Sequence, residues 1–162
     1  MKSVSIFHHP SSTVAFMLMT AVCIISGGCS TPPLAPANLS APGWTVQQGQ
    51  AVWKPTQNRR EIAGDLIMAT NTDGDCFVQF TKTPLTLATA QIAGGRWQLE
   101  FGNEQYSWQG SGTPPDCFVW FQLPRAFSGA PMPGDWHFQV SANGWQFDNL
   151  RTGENLEGEF FQ

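Results

Sequence analysis

The sequence predicts an all-β domain, a curved antiparallel meander forming an incomplete or closed barrel, with at most short helices. Three observations carry that expectation. Glycine-containing turn dipeptides recur at Asp73-Gly74, Gly94-Gly95, Gly102-Asn103 and Asn143-Gly144. The segments beside them alternate apolar and polar residues with a period of two, as half-buried strands do. No window of helical length repeats its apolar residues every 3.6 positions, and the best short candidate is residues 123–127. A two-sheet sandwich satisfies the same pattern and stands as the alternative.

Taken in order, a first short strand is expected near residues 50–54. Asp73-Gly74 then joins a strand ending at Thr72 to one starting at Asp75. A two-residue turn there places Ile67 opposite Phe80, Ala69 opposite Val78 and Asp65 opposite Lys82. Gly94-Gly95 joins residues 87–93 to 96–101, setting Ile92 by Trp97 and Ala88 by Phe101. Gly102-Asn103 continues the meander with Leu99 by Tyr106 and Trp97 by Trp108. Thr89, Gln91, Gln98 and Glu100 share the opposite, polar face. Another strand is expected near residues 117–122. Asn143-Gly144 closes a hairpin with Trp136, Phe138, Val140, Ala142, Trp145 and Phe147 on one face and His137, Gln139, Ser141, Gln146 and Asp148 on the other. Such a division gives a sheet with one buried and one wetter face. A last strand is expected over residues 155–161.

The first 28 residues read as a targeting segment. Lys2 precedes an apolar run of 12 residues, 14–25, which as a helix spans roughly 18 Å. The hydrocarbon core is about 30 Å thick, so the run is short for a permanent span. It leads to Ser26-Gly27-Gly28-Cys29, which resembles the cleavage motif of bacterial lipoprotein precursors: two small residues before the cysteine that receives lipid. Ser26 departs from the usual aliphatic residue. The resemblance implies cleavage after Gly28, a lipid anchor on Cys29 and attachment to a membrane through it. Ser30, rather than Asp, follows the cysteine, which resembles the pattern of outer-membrane lipoproteins facing the periplasm. The expected organisation is residues 1–28 as signal peptide, 29–43 as lipidated cysteine and Pro-rich tether, and 44–162 as the antiparallel β domain. The tether as a polyproline-like leash would reach ~40 Å.

All seven tryptophans and ten of the twelve phenylalanines lie in the β domain. Each aromatic buries ~150–250 Å², so they must fill a dense core or line an apolar cavity. The formal net charge is −4 at pH 7, and the basic residues form no cluster beyond Arg59-Arg60. No nucleic-acid partner is expected, because the positive footprint such binding needs is missing.

Catalytic and metal-binding patterns are equally thin. His137 is the one histidine after the leader and alternates with the apolar face of its hairpin. A metal site needs several converging N, S or O ligands, so neither a metal nor another cofactor is expected. Ser111 sits among small residues without a nucleophile elbow. Glu100, Glu104, Glu154, Glu157 and Glu159 fall on predicted exposed faces or in the last turn. The domain is therefore not expected to be an enzyme. Cys76 and Cys117 occupy the same phrase, Asp-Cys-Phe-Val-Xaa-Phe, each expected to begin a strand just after a turn. Two states fit: a disulfide, adding ~4 kcal/mol in the chain-entropy picture, or two free thiols packed as small hydrophobes.

The run Ala63-Gly64-Asp65-Leu66, the acidic turn, and then Phe80-Thr81-Lys82-Thr83-Pro84-Leu85 are similar in layout to the LolA/LolB group of periplasmic lipoprotein carriers and receptors. Leu123-Pro124, Trp136 and Gly153-Glu154 extend the likeness, which covers roughly residues 50–160. The resemblance implies an incomplete antiparallel barrel whose apolar cavity, capped by helices, accepts acyl chains. This chain is shorter and lacks obvious capping helices. A cavity here would be lined by Ile67, Phe80, Trp97, Leu99, Trp108, Trp136, Phe138, Trp145 and Phe147, unless those side chains simply pack together as core. Residues 131–133 (Pro-Met-Pro) would form either an exposed apolar tip that meets a membrane or partner, or an ordinary connecting loop. Two functions follow: a lipid or lipoprotein binder, or a structural adaptor that meets an envelope protein or glycan through its sheet without a cavity.

Overall fold

The computed structural model describes residues 32–102 and 106–161, and the chain from Pro33 onward forms one compact unit. The leader and Cys29 lie outside the described residues. Nine strands follow: β1 Trp44–Lys54, β2 Ile62–Asn71, β3 Cys76–Lys82, β4 Leu85–Ala93, β5 Arg96–Phe101, β6 Tyr106–Ser111, β7 Trp136–Ser141, β8 Gly144–Asn149 and β9 Asn155–Phe160. One helix, α1 (Val119–Phe127), interrupts them between β6 and β7.

The strands form one antiparallel sheet in the order β6-β5-β4-β3-β2-β1-β9-β8-β7. The β1–β9 ladder joins a six-strand meander to a three-strand one, so the last strand lies beside the first. β6 and β7 remain edges, and the sheet stays open rather than closing into a barrel or splitting into a sandwich. One face, here the inner face, carries the core: Leu66, Met68, Val78, Phe80, Ala88, Ala90, Leu99, Phe147 and Leu156 are buried there with Val119, Trp120 and Leu123 of α1.

Turn geometry decides which side chains reach that face. The β4–β5 ladder has the expected register, Ile92 with Trp97 and Ala88 with Phe101. The β7–β8 hairpin also divides as read, with Phe138 opposite Phe147 and Val140 opposite Trp145, although its two loop residues are Ala142 and Asn143. The β2–β3 turn differs. Asn71 Oδ1 accepts the N–H groups of Asp73 and Asp75, and the Asn71 N–H donates to the Asp75 carbonyl. Three residues, Thr72 to Gly74, then bridge the strands, and Gly74 takes φ +86° at the position a side chain would strain. The odd loop shifts the register by one, pairing Leu66 with Phe80 and Met68 with Val78. Because a strand's side chains alternate, Ile67 moves to the outer face. The β5–β6 register is shifted by two, with Leu99 opposite Trp108, which leaves every face as expected.

The strand expected at residues 117–122 is instead the start of α1. Seven of its nine residues, Val119 to Pro124 and Ala126, are buried, with Val119, Trp120, Leu123 and Ala126 among them at helical spacing. The repeated phrase thus forms a strand at Cys76 and a loop and helix at Cys117. Cys76 is buried, Cys117 is exposed, and both are free thiols, so no disulfide joins them. Met132 is partly buried against the core rather than forming an exposed tip.

The Pro-rich segment does not hang free from Pro33 onward. The Leu34 N–H donates to Gln98 Oε1 at 2.6 Å, and Gln91 Nε2 donates to the Ala35 carbonyl at 3.0 Å. Gln91 and Gln98 both lie on the outer face, so the entering chain is held against β4 and β5.

Candidate functional site

Of the nine residues assigned to a cavity wall, eight share the inner face and Ile67 does not. Phe80, Leu99 and Phe147 have no exposed surface. What faces them is α1. Trp120 lies 5.1 Å from Trp53 and 5.4 Å from Phe80, centroid to centroid. Phe121 meets Trp97 at 5.9 Å, and Phe118, just before the helix, meets Trp108 at 5.9 Å. At the other end Phe127 contacts Phe138 and Phe160 at 5.2 Å and Trp145 at 5.9 Å. The helix therefore straps the open sheet from the β5–β6 side to the β7–β9 side, occupying the space its aromatic wall encloses.

The strap is held by burial rather than by its own local signals. Its N-cap, Phe118, offers no side-chain acceptor, its first turn carries no acid, and Pro124 sits inside it. A cap is worth about 0.5–2 kcal/mol, and an internal proline removes a backbone hydrogen bond. Three polar atoms in this interior, Trp120 Nε1, Gln122 Oε1 and Trp145 Nε1, are buried without a partner. Each such group costs about 1–3 kcal/mol relative to a satisfied one. At the free edges the inner face is uncovered: Tyr106 is 64% exposed and Trp108 42% on β6, and Val140 66% on β7.

The outer face carries a different feature, a groove of about 850 Å³ across β1, β2, β7, β8 and β9. Its lining mixes polar side chains, among them Gln50, Asp65, Gln139, Gln146, Glu157 and Glu159, with apolar ones such as Val52, Ala63 and Trp145. A second cleft, of about 530 Å³, is bordered by His137, Asp148, Arg151 and Glu154. His137 is exposed as expected, opposite Asp148.

Glu154 was not legible in the sequence, where it reads as a turn residue. The β8–β9 loop folds it inward, and its Oε1 accepts the Trp53 indole N–H at 2.9 Å. Burial pushes its carboxyl up from 4.5 to about 7, with the Trp53 hydrogen bond opposing the shift. Because the folded-state value is raised, the folded protein holds this proton more tightly than the unfolded chain. The stability so contributed is complete below about pH 4.5 and is lost as pH rises through 7. The urea midpoint is accordingly expected to fall over that window and then level. Glu154→Gln, which keeps an acceptor for Trp53, should flatten the fall; an identical slope in both proteins would contradict the assignment.

Among the described residues no group of three His, Cys, Asp or Glu is placed to hold a metal ion. Nor is any helix among them long and apolar enough to cross a membrane. Fold and site together define a class: an open, curved antiparallel sheet strapped across its apolar face by one short helix. No protein-family model matches the chain, and no curated protein matches it.

Proposed function

We propose that this chain is a lipid-anchored envelope protein, held to the outer membrane through Cys29 and facing the periplasm, that binds an acyl chain or lipoprotein between its sheet and α1. The observation that carries the reading is the strap. An apolar inner face spans the open sheet, and a helix with weak local support covers it. Two buried indole N–H donors and one amide oxygen lie there unpaired. Lifting α1 would uncover a surface suited to a hydrocarbon tail, since each methylene left in water costs about 0.8 kcal/mol. The indole donors of Trp120 and Trp145 match the ester or amide carbonyl that such a chain carries. Gly112 and Gly129, both at positive φ, flank the segment and supply turning points. This reading agrees with the resemblance to the LolA/LolB group and replaces several capping helices with one.

The test is saturable uptake of a fluorescent fatty acid by the unit that begins at Pro33. Uptake that saturates, and that quenches tryptophan emission as it does so, is the expected result. A folded unit that takes up none overturns the reading.

The outer groove favours a second reading, an adaptor that meets an envelope glycan. Its amides and carboxylates are planar acceptors and donors suited to hydroxyl-rich chains. Co-sedimentation with insoluble cell-wall glycan, lost in Glu157→Ala/Gln146→Ala, would support it; no sedimentation would sink it.

A further inference from the structure

The first described residues restrict how the domain meets a membrane. Leu34 and Ala35 are hydrogen-bonded to Gln98 and Gln91 on the outer face of β5 and β4. Gln98 is 7% exposed, although it belongs to the outer face, and its amide also donates to Glu100. Leu34, Ala37 and Leu39 are half-buried, so the contact extends over several residues. Cys29 precedes Leu34 by five positions, a distance of at most about 18 Å for fully extended chain. That is less than half the reach expected of a free Pro-rich leash. A lipid on Cys29 therefore keeps the β4–β5 region close to the bilayer.

The next strand out is the edge strand β6, and it carries the exposed rings. Tyr106 and Trp108 stand on the inner side of β6, with centroids 6.5 Å apart and planes 22° from parallel. Leu85, 54% exposed, begins β4 at the same end of the sheet as the β5–β6 turn. An edge strand with exposed aromatic residues invites pairing with other chains unless something covers it. Tyrosine and tryptophan, each with an apolar body and a polar tip, favour the membrane–water interface.

We propose that the β6 edge docks on the lipid bilayer surface, with Tyr106 and Trp108 seated among the headgroups. The domain is then held at two points, by the anchor and by this edge, and cannot swing freely about its tether. The proposal rests on lipidation of Cys29.

The mature lipidated protein, reconstituted in phosphatidylcholine vesicles brominated near the headgroup end of the acyl chains, tests it. Trp108 emission is expected to be quenched. Trp108→Phe should lose most of the bromolipid quenching, while Trp44→Phe, on β1 at the far side of the six-strand meander from β6, should retain it. Tyr106→Ser, at an exposed position that does not threaten the fold, should raise the access of aqueous acrylamide to Trp108. Protein that floats with the vesicles yet shows no quenching, or keeps its quenching in Trp108→Phe, overturns the docking and leaves the anchor standing. Protein that carries no lipid and stays in the aqueous phase overturns both.

Discussion

Trp120→Ala is expected to cost about 3–5 kcal/mol of folding stability, the range for deleting a buried large aromatic. Trp120 is 1% exposed and sits where α1 presses on the sheet, between Trp53 and Phe80. Removing it leaves a cavity under a helix that has no cap and contains a proline, so α1 should fray as well as lose packing. A reduced urea midpoint would register the loss, and a smaller slope would register the freed helix. Trp120→Phe is the informative partner. It keeps a ring in the cluster and deletes the unpaired indole N–H, so the packing loss and the relieved polar group offset each other to within about 1–2 kcal/mol. If the alanine variant unfolds at the wild-type midpoint, α1 is not the element that closes the core. Under the carrier reading, the phenylalanine variant should also bind a fatty acid less tightly, because one donor to its carbonyl is gone.

The second large effect is expected at Gly158. Among the described residues the β1–β9 ladder is the sole pairing between the two meanders. A Cβ at Gly158 would lie 2.3 Å from the Gln50 carbonyl oxygen, 2.9 Å from Cζ2 of Trp145 and 3.0 Å from the Ala51 Cα. Two of those contacts are backbone, which cannot rotate away, so Gly158→Ala must push β9 from β1. The cost should reach or exceed the ~1–3 kcal/mol usual for overpacking. Hydrogen exchange would locate it: protection should fall in β7, β8 and β9 and persist in β2 to β5. Protection lost evenly across the sheet would mean that the two meanders unfold as one unit. Glu157→Ala, one residue away and exposed on the outer face, is the control expected to leave both stability and protection nearly unchanged.

The strands were legible because alternation and turn chemistry are local. Gly94-Gly95 set the β4–β5 register correctly, and Trp136 to Phe147 divided between two faces as read. Where a turn recruited a side chain, local reading failed. Asn71 drew two backbone N–H groups into its own loop, lengthened the turn and put Ile67 on the wrong side. A dipeptide such as Asp73-Gly74 announces a hairpin but does not count its loop residues. The site was half legible. The aromatic wall was named almost completely and the 123–127 half of the strap was read as a short helix, while Glu154 and the first turn of the strap were missed.

The phrase shared by Cys76 and Cys117 shows why. Six nearly identical residues form β3 in one place and lead into α1 in the other. The first copy has β2 and β4 on its flanks, and its alternate residues find a core on one side only. The second follows two prolines, runs on into Gln122 to Phe127, and lies across the apolar face of the sheet, where seven of the nine helix residues are buried.

Sequence by itself determined the antiparallel meander and, save at Ile67, which faces are apolar, because each depends on neighbours a few positions apart. Tertiary structure alone decided that β9 pairs with β1, that the sheet stays open, that a helix fills its concavity, that the cysteines remain apart and that Glu154 is drawn inward. Those outcomes depend on burial summed over residues distant in the chain, and no local pattern encodes such a sum.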